Sequence, residues 1–225
     1  MFVDTSKEVR DPDVSAIAAL DEPTRRRLYD HVVRQSSPVS RDEAAAAFGL
    51  ARKTAAFHLD RLAEESLLDV VYERRSGRSG PGAGRPAKLY RRSTKQVAVS
   101  LPDRRYELAG RLLAQAVEES DVSGEPVRQV LHRKAEELGA QLGEQNQTDV
   151  FDLLERYGFE PRHEDNSIVL ANCPFHVLAR EHTQTVCGMN LHLLRGVLSG
   201  LGEAELEARL APGPGHCCVR LQPAT

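Results

Sequence analysis

Along the first hundred residues, apolar positions recur at helical spacing in short blocks separated by turn formers. The first block, VSAIAALDEPTRRRLYDHVVRQ, puts Ile17, Leu20, Leu28, His31 and Val32 on one stripe, and Pro23 predicts a break before Thr24. In the next, Ser40 stands three residues before Glu43, the spacing of a capping box, so a helix opens over DEAAAAF and Gly49 stops it. After a short turn, ARKTAAFHLDRLAEESLL sets Ala55, Leu59, Leu62, Ala63 and Ser66 inward and turns Lys53, Thr54, Phe57, Arg61 and Glu64 outward. Ala51 occupies the position where a serine or threonine often caps such a helix. Two short helices around a glycine turn, the second with a cationic outer face, predict a helix-turn-helix.

The period then changes from helical to alternating. DVVYERR reads as a strand, SGRSGPGAGRP is too rich in glycine to hold a helix, and KLYRRS reads as the returning strand, so the segment predicts a β-hairpin wing. Between Val71 and Lys95 stand Arg74, Arg75, Arg78, Arg85, Lys88, Arg91, Arg92 and Lys95 against the single acid Glu73, a charge of +7. A basic wing of this kind suits phosphates or the enhanced negative potential of a minor groove. Arg25, Arg26 and Arg27 are further candidates for the DNA backbone. Residues 1–13 are polar and expected to fray.

Beyond Pro102, DRRYELAGRLLAQAVEES carries an apolar band of Tyr106, Ala109, Leu112, Leu113, Ala116 and Val117. Gly124 interrupts it and EPVRQVLHRKAEELGAQLG continues as a second helix. Helices in this position either pack on their own domain or pair two subunits, which would place two recognition helices on successive half-sites. From Asp149 the pattern shortens: VFDLLERYG as helix, FEPRH and NSIVLAN as strands joined at EDN, TQTVCGMNLHLLRGVLSGLG as a long helix, and EAELEARLA with HCCVRLQ as strands. The expected fold is α+β. It comprises a winged helix-turn-helix over residues 1–98, a helical linker or dimerisation region over 99–146, and a small cysteine-containing sensor domain over 147–225.

Charge supports that division. The net charge is −3, but residues 1–100 hold 18 Lys+Arg against 14 Asp+Glu while the remainder hold 12 against 19, a basic front suited to nucleic acid and an acidic back. No apolar run approaches the roughly 20 residues that cross a bilayer, and the N-terminus has no hydrophobic signal region, so the chain is expected to be cytoplasmic. Four cysteines, all after residue 170, are then better metal or redox ligands than a disulfide framework.

Cys173 precedes Pro174, which favours the first turn of a helix, so it is expected at or next to an N-cap, where the dipole and free N–H groups would stabilise a thiolate. Thirteen residues separate Cys173 from Cys187 and 29 separate Cys187 from Cys217, and no CxxC occurs, which argues against a zinc ribbon or a thioredoxin-type site. Cys217 and Cys218 fall in a predicted strand and should point to opposite faces, so they are not expected to bind one centre together. Cys217 shares its parity with Val219 and Leu221 and is preferred as third ligand, with Cys218 the runner-up. A fourth ligand would come from His176, His182, His192, His216, Glu181 or an exogenous molecule. Three thiolates and an incomplete fourth position suit an iron–sulfur cluster that can be lost or oxidised, or zinc with one histidine.

Taken together, LDEPTRRRLYDHV, TAAFHLDRL, GRPAKLYRRS and the run NCPFHVLAREHTQTVCGMNLHLLRGVLSGLG with its distal GHCC resemble SufR-type regulators, a branch of the ArsR-like winged-helix proteins. The resemblance implies a homodimeric transcription regulator, typically a repressor of iron–sulfur assembly genes, that binds a double-stranded operator with its cluster in place. It also implies that Cys173, Cys187 and one of Cys217 and Cys218 hold a [4Fe–4S] or [2Fe–2S] cluster. The residues expected on DNA are Arg52, Lys53, Thr54, Phe57, His58 and Arg61 from the recognition helix and Arg74, Arg75, Arg78, Arg85 and Lys88 from the wing. Two rivals remain at this level: a zinc-dependent or ligand-sensing winged-helix repressor, and a thiol oxidoreductase or metal hydrolase. The latter lacks HExxH, CxxC or a Ser/His/Asp pattern and leaves the basic wing unexplained, so no enzyme is expected.

Overall fold

Pro23 splits the first apolar block into two helices, α1 (Arg10–Ala19) and α2 (Pro23–Val33), because its ring suits the first turn of a new helix and not the interior of an old one. The structure is a computed structural model that describes residues 10–74, 86–146 and 148–224, and the chain forms two compact units, residues 1–99 and 100–225. At the break Glu22 caps α2, accepting hydrogen bonds from the backbone N–H groups of Thr24 (3.1 Å) and Arg25 (2.6 Å). The break also turns α1 away from the expected stripe. Asp13, Ala16 and Ala19 are buried while Ile17 is 47% exposed, and Leu20 and His31 are only half-buried.

In α3 (Arg41–Phe48) the capping box forms as its spacing predicts. Ser40 Oγ accepts from the Glu43 N–H at 3.2 Å and Glu43 Oε2 accepts from the Ser40 N–H at 2.8 Å. Gly49 closes the helix at φ 63°, a left-handed conformation that costs a residue without Cβ little. The recognition helix α4 (Arg52–Glu64) follows, and Ala51 makes no side-chain cap, as the sequence anticipates. Ala55, Leu59 and Leu62 are buried as expected, whereas Ser66 is exposed at φ 58°, beyond the helix end. The wing strands are β2 (Leu68–Glu73) and β3 (Ala87–Arg92), antiparallel with Val70 opposite Tyr90. A two-residue strand, β1 (Val39–Ser40), too short to give a sequence signal, pairs with the other edge of β3. Leu28, Val32, Leu59, Leu62, Leu68 and Tyr90 form the core of this unit.

The second unit begins with α5 (Tyr106–Ser123) and α6 (Val127–Gln145), joined at Gly124, then α7 (Val150–Arg156), β4 (Pro161–Glu164), β5 (Ser167–Leu170), α8 (His176–Glu181), α9 (Thr183–Leu201), β6 (Leu206–Leu210) and β7 (Val219–Pro223). The four strands make an antiparallel sheet in the order β4-β5-β7-β6. The sequence division at residue 146 is not a structural boundary. Ala109 and Leu112 of α5, Leu131 and Ala135 of α6, Leu194 and Leu198 of α9, and Val219 and Leu221 of β7 share one core. The physical reason lies in α9, which is apolar round most of its circumference and takes α6 on one side and the sheet on another. Among the described residues no helix is long and apolar enough to cross a membrane.

The α6–α9 contact is backbone on backbone. A Cβ on Gly139 of α6 would collide with the Leu193 carbonyl oxygen, one on Gly196 of α9 with the Glu136 carbonyl, and one on Gly200 with the Ala140 carbonyl. Both helices carry their glycines four apart, Gly139 with Gly143 and Gly196 with Gly200, so the two stripes meet over a full turn. Gly110 of α5, by contrast, has nothing within 4 Å of its absent Cβ. Gly196→Ala is therefore expected to destabilise the second unit by about 2 kcal/mol or more through overpacking, and Gly110→Ala to leave it unchanged or stabilise it by about 0.5–1 kcal/mol. Urea denaturation of the two variants beside wild type checks the opposite signs.

Candidate nucleic-acid interface and cysteine site

The outer face of α4 carries Arg52, Lys53, Thr54, Phe57 and Arg61, all exposed, with Phe57 at 63%. Arg52 lies 3.4 Å from Asp42 on the first turn of α3, and Arg61 pairs with Glu64 (3.3 Å) and Glu65 (2.5 Å). The exposed pairs with Asp42 and Glu64 are worth little and exchange for phosphate or a base edge at small cost, whereas the half-buried Glu65 holds Arg61 more firmly. His58 does not belong with this set. It is 9% exposed and its Nδ1 stands 3.4 Å from Glu22 Oε2, which makes it a packing residue between α4 and the cap of α2. Its position one residue after Phe57 rotates it by about 100° off the outer face.

The arginines of α2 are likewise structural. Arg25 donates to the Ala19 carbonyl at 2.9 Å, Arg26 to the Leu20 carbonyl at 2.9 Å, and the Arg27 guanidinium stacks 4.8 Å from the Phe48 ring centre. On the wing, Arg74 is exposed, while Arg75, Arg78 and Arg85 lie outside the described residues. Lys88 is exposed but holds Asp60 of α4 at 2.6 Å, so it joins the wing to the recognition helix before it meets any phosphate. The buried Tyr90 hydroxyl donates to the same Asp60 oxygen at 2.6 Å. Lys88 and Tyr90 of β3 thus have a mechanical role that sequence reading missed: they tie the wing strand to the helix.

Burial opposes ionisation of Asp60, but the hydrogen bonds from Lys88 and Tyr90 outweigh it and hold the carboxyl below its ordinary value of 3.8. Burial and the Asp60 bond push the Tyr90 hydroxyl the other way, well above the usual phenol range.

The cysteines come from three places. Cys173 lies in the turn between β5 and α8, Cys187 in the second turn of α9, and Cys217 and Cys218 just before β7. Their thiols are neighbours that perturb one another's ionisation, Cys173 with Cys217, Cys217 with Cys218, and Cys218 with Cys187. Cys173, Cys187 and Cys217 are buried and Cys218 is half-buried. Two expectations change. Cys217 and Cys218 stand in an irregular segment before the strand, so the alternation that would separate their faces does not apply and both join the group. Cys173 is not at a helix N-cap, because α8 starts at His176 with Phe175 before it. Its thiol is raised, first by the hydrogen bond to Cys217 and then by burial. The Cys187 thiol alone is lowered, by the hydrogen bond from Cys218 against the cost of burial.

Each cysteine segment is braced. Asn172, 6% exposed, donates to the carbonyls of Asp103 (3.0 Å) and Gly158 (2.5 Å), and Arg104 donates to Asn172 Oδ1 (2.5 Å) and the Cys173 carbonyl (3.2 Å). Phe175, fully buried, meets Phe159 edge-on. The Cys217 N–H donates to the Leu170 carbonyl at 2.8 Å, tying that segment to the end of β5. Asn190, one turn beyond Cys187 on α9, donates from Nδ2 to Cys217 Sγ at 3.2 Å.

The candidate fourth ligands stay apart. His176, Glu181 and His182 are exposed, His192 is held by Glu136 at 2.7 Å, and His216 bonds the Cys217 carbonyl at 2.8 Å. Cys218 brings the number of neighbouring thiols to four. Donor chemistry therefore fits a thiolate-bound iron–sulfur cluster or zinc. Among the described residues, however, no group of three or more His, Cys, Asp and Glu is placed so that it could hold a metal ion. The thiols are donors drawn together, not a preset coordination sphere.

Residues 20–71 match the profile of a family described as a helix-turn-helix domain. No curated protein and no solved structure matches the chain. The helix-turn-helix, its wing strands and the family match support a DNA-binding transcription regulator with a winged helix-turn-helix.

Asp60→Ala strands the buried Tyr90 hydroxyl and is expected to cost the first unit about 1–3 kcal/mol. Because the folded Asp60 value is depressed, its contribution is present above the ordinary aspartate range and is lost as pH falls through the folded value. Hydrogen exchange of residues 52–74 and 86–92 in the full chain, at neutral pH and in acid, checks both: the difference between wild type and variant narrows in acid.

Proposed function

We propose that the chain is a cytoplasmic, homodimeric transcription repressor of SufR type, acting on iron–sulfur assembly or redox-responsive genes. In this reading its affinity for a double-stranded operator is set by an iron–sulfur cluster on Cys173, Cys187, Cys217 and Cys218, and it has no catalytic role. One observation carries the reading: four thiols from three segments meet inside the acidic unit, with their loops braced by Arg104, Asn172 and the end of β5. Solvated structural cysteines have no reason to converge, and buried ones packing as small apolar groups have no need to gather from three separate segments. Four cysteines suit [4Fe–4S] and [2Fe–2S] alike. When bound, such a cluster supplies a redox-active group that oxidants can destroy, which makes occupancy a signal.

The residues do the rest. Cys187 is fixed on the rigid α9, while Cys173 and the Cys217–Cys218 pair lie on segments outside regular structure, so ligation orders two loops against one helix. A signal reaches DNA only if loaded and empty states differ in operator affinity, a coupling between two states of one molecule. Tyr106 and Val117 of α5, 38% and 47% exposed, lie on one outer stripe with Leu113 and favour a second copy as partner. Arg52, Lys53, Thr54, Phe57 and Arg61 enter the major groove, and wing residues hold the backbone.

Zinc is the second reading, favoured by one observation: the four neighbouring donors are all thiols, a set that zinc binds as readily as a cluster does. Iron, sulfide and zinc counts on anaerobically purified protein separate the two. Iron with matching inorganic sulfide supports the cluster, whereas zinc alone replaces that reading. Cys187→Ser is expected to lose visible absorbance after anaerobic reconstitution, and a full spectrum in that variant removes Cys187 from the ligand set. Arg52→Ala and Arg61→Ala are each expected to weaken binding to a duplex selected by the wild-type protein by about 1–3 kcal/mol at fixed salt. Unchanged gel-shift affinity rejects this docking.

A further inference from the structure

Asn190 is the polar side chain most out of place in the second unit. It is 1% exposed, midway along a helix otherwise lined at its buried positions by Val186, Met189, Leu191, Leu193 and Leu194. Only one end of its amide is used: Nδ2 donates to Cys217 Sγ at 3.2 Å, and Oδ1 is buried without a hydrogen-bond partner. An amide kept in an apolar core with half its capacity idle is a net cost to the fold, and a leucine of similar size would remove that cost. A core residue retained against such a cost points to the group it touches, which is a sulfur.

The arrangement has a direction. A thiol can give or take a hydrogen bond, but a metal-bound thiolate only accepts, so an N–H held against Cys217 Sγ serves the ligated state better than the free thiol. We infer that Asn190 is a positioning residue for the cluster, holding the Cys217 sulfur and stabilising the negative charge that builds on it when the cluster is reduced. The inference rests on the cluster reading above and extends it to a residue that carries no metal ligand. Its spacing of three from Cys187 puts ligand and amide on one face of α9, so a single rigid helix supplies both. Donors to cluster sulfurs raise reduction potential because they favour the more negative oxidation state.

Wild type, Asn190→Leu, Asn190→Asp and the control Met189→Leu are to be reconstituted anaerobically with iron and sulfide. Iron and sulfide content, visible spectrum and reduction potential are then read on each full-length protein. The inference expects Asn190→Leu to take up the same iron and sulfide as wild type but to reduce at lower potential. Asn190→Asp, an isostere that sets a carboxylate against the sulfur, should fall lower still, and Met189→Leu should match wild type. Variants of Asn190 that fold by circular dichroism yet fail to retain a cluster that Met189→Leu retains also support it. Potentials and spectra equal to wild type in both Asn190 variants overturn it and leave the cluster reading intact. A wild type that takes up no iron overturns the cluster reading, and this inference falls with it.

Discussion

A glycine seated against the carbonyl of a neighbouring helix leaves no room for adjustment: the two backbones touch, and neither helix can slide or roll without a collision. Gly139, Gly196 and Gly200 impose that condition on α6 and α9. Everything in the second unit that bears chemistry is referred to the position of α9. It carries Cys187 and Asn190 on one face, and the sheet that delivers Cys217 and Cys218 packs against it. Rigid support of this sort is what a ligand site needs, since an ångström of looseness in one donor is enough to lose a geometry.

Against that fixed helix the other two cysteine segments are irregular but not loose. The turn NCPF is held by a set of bonds that use almost every group it has: the Asn172 amide, the Cys173 carbonyl and the Phe175 ring each meet a partner in α5, α7 or the segments beside them. The Cys217 segment is held by its own N–H on β5 and by the Ala211 N–H on the Cys218 carbonyl. One anchored helix and two braced loops make an arrangement that can respond to ligation without repacking a core.

The first unit uses a polar lock where the second uses glycine. Asp60 takes both the Tyr90 hydroxyl and the Lys88 ammonium, joining the middle of the recognition helix to the strand of the wing. A winged helix contacts DNA at two places, and the angle between them decides whether both fit. The cations of this unit therefore fall into two groups. Arg25, Arg26, Arg27 and Lys88 hold the unit together, while Arg52, Lys53 and Arg61 stand outward.

Local chemistry was legible in the order of residues alone. The capping box at Ser40 and Glu43, the stop at Gly49, the break at Pro23 and the inner stripe of α4 through Ala55, Leu59 and Leu62 depend on residues a few positions apart, and each forms as its spacing predicts. The same holds for the strand pairs of the wing and of β4 with β5. What the sequence could not decide was anything set by long-range contact. His58 is buried because α2 lies beside it, and Ile17 is exposed because the break turns α1. The helices of residues 106–145 belong to the second unit because α9 offers them a face, and Cys218 joins Cys217 because the chain has not yet entered its strand. Periodicity tells which side of an element is apolar, but only the packed neighbours tell what that side meets, and residues 173, 187, 190, 217 and 218 become neighbours only where three separate segments are brought together.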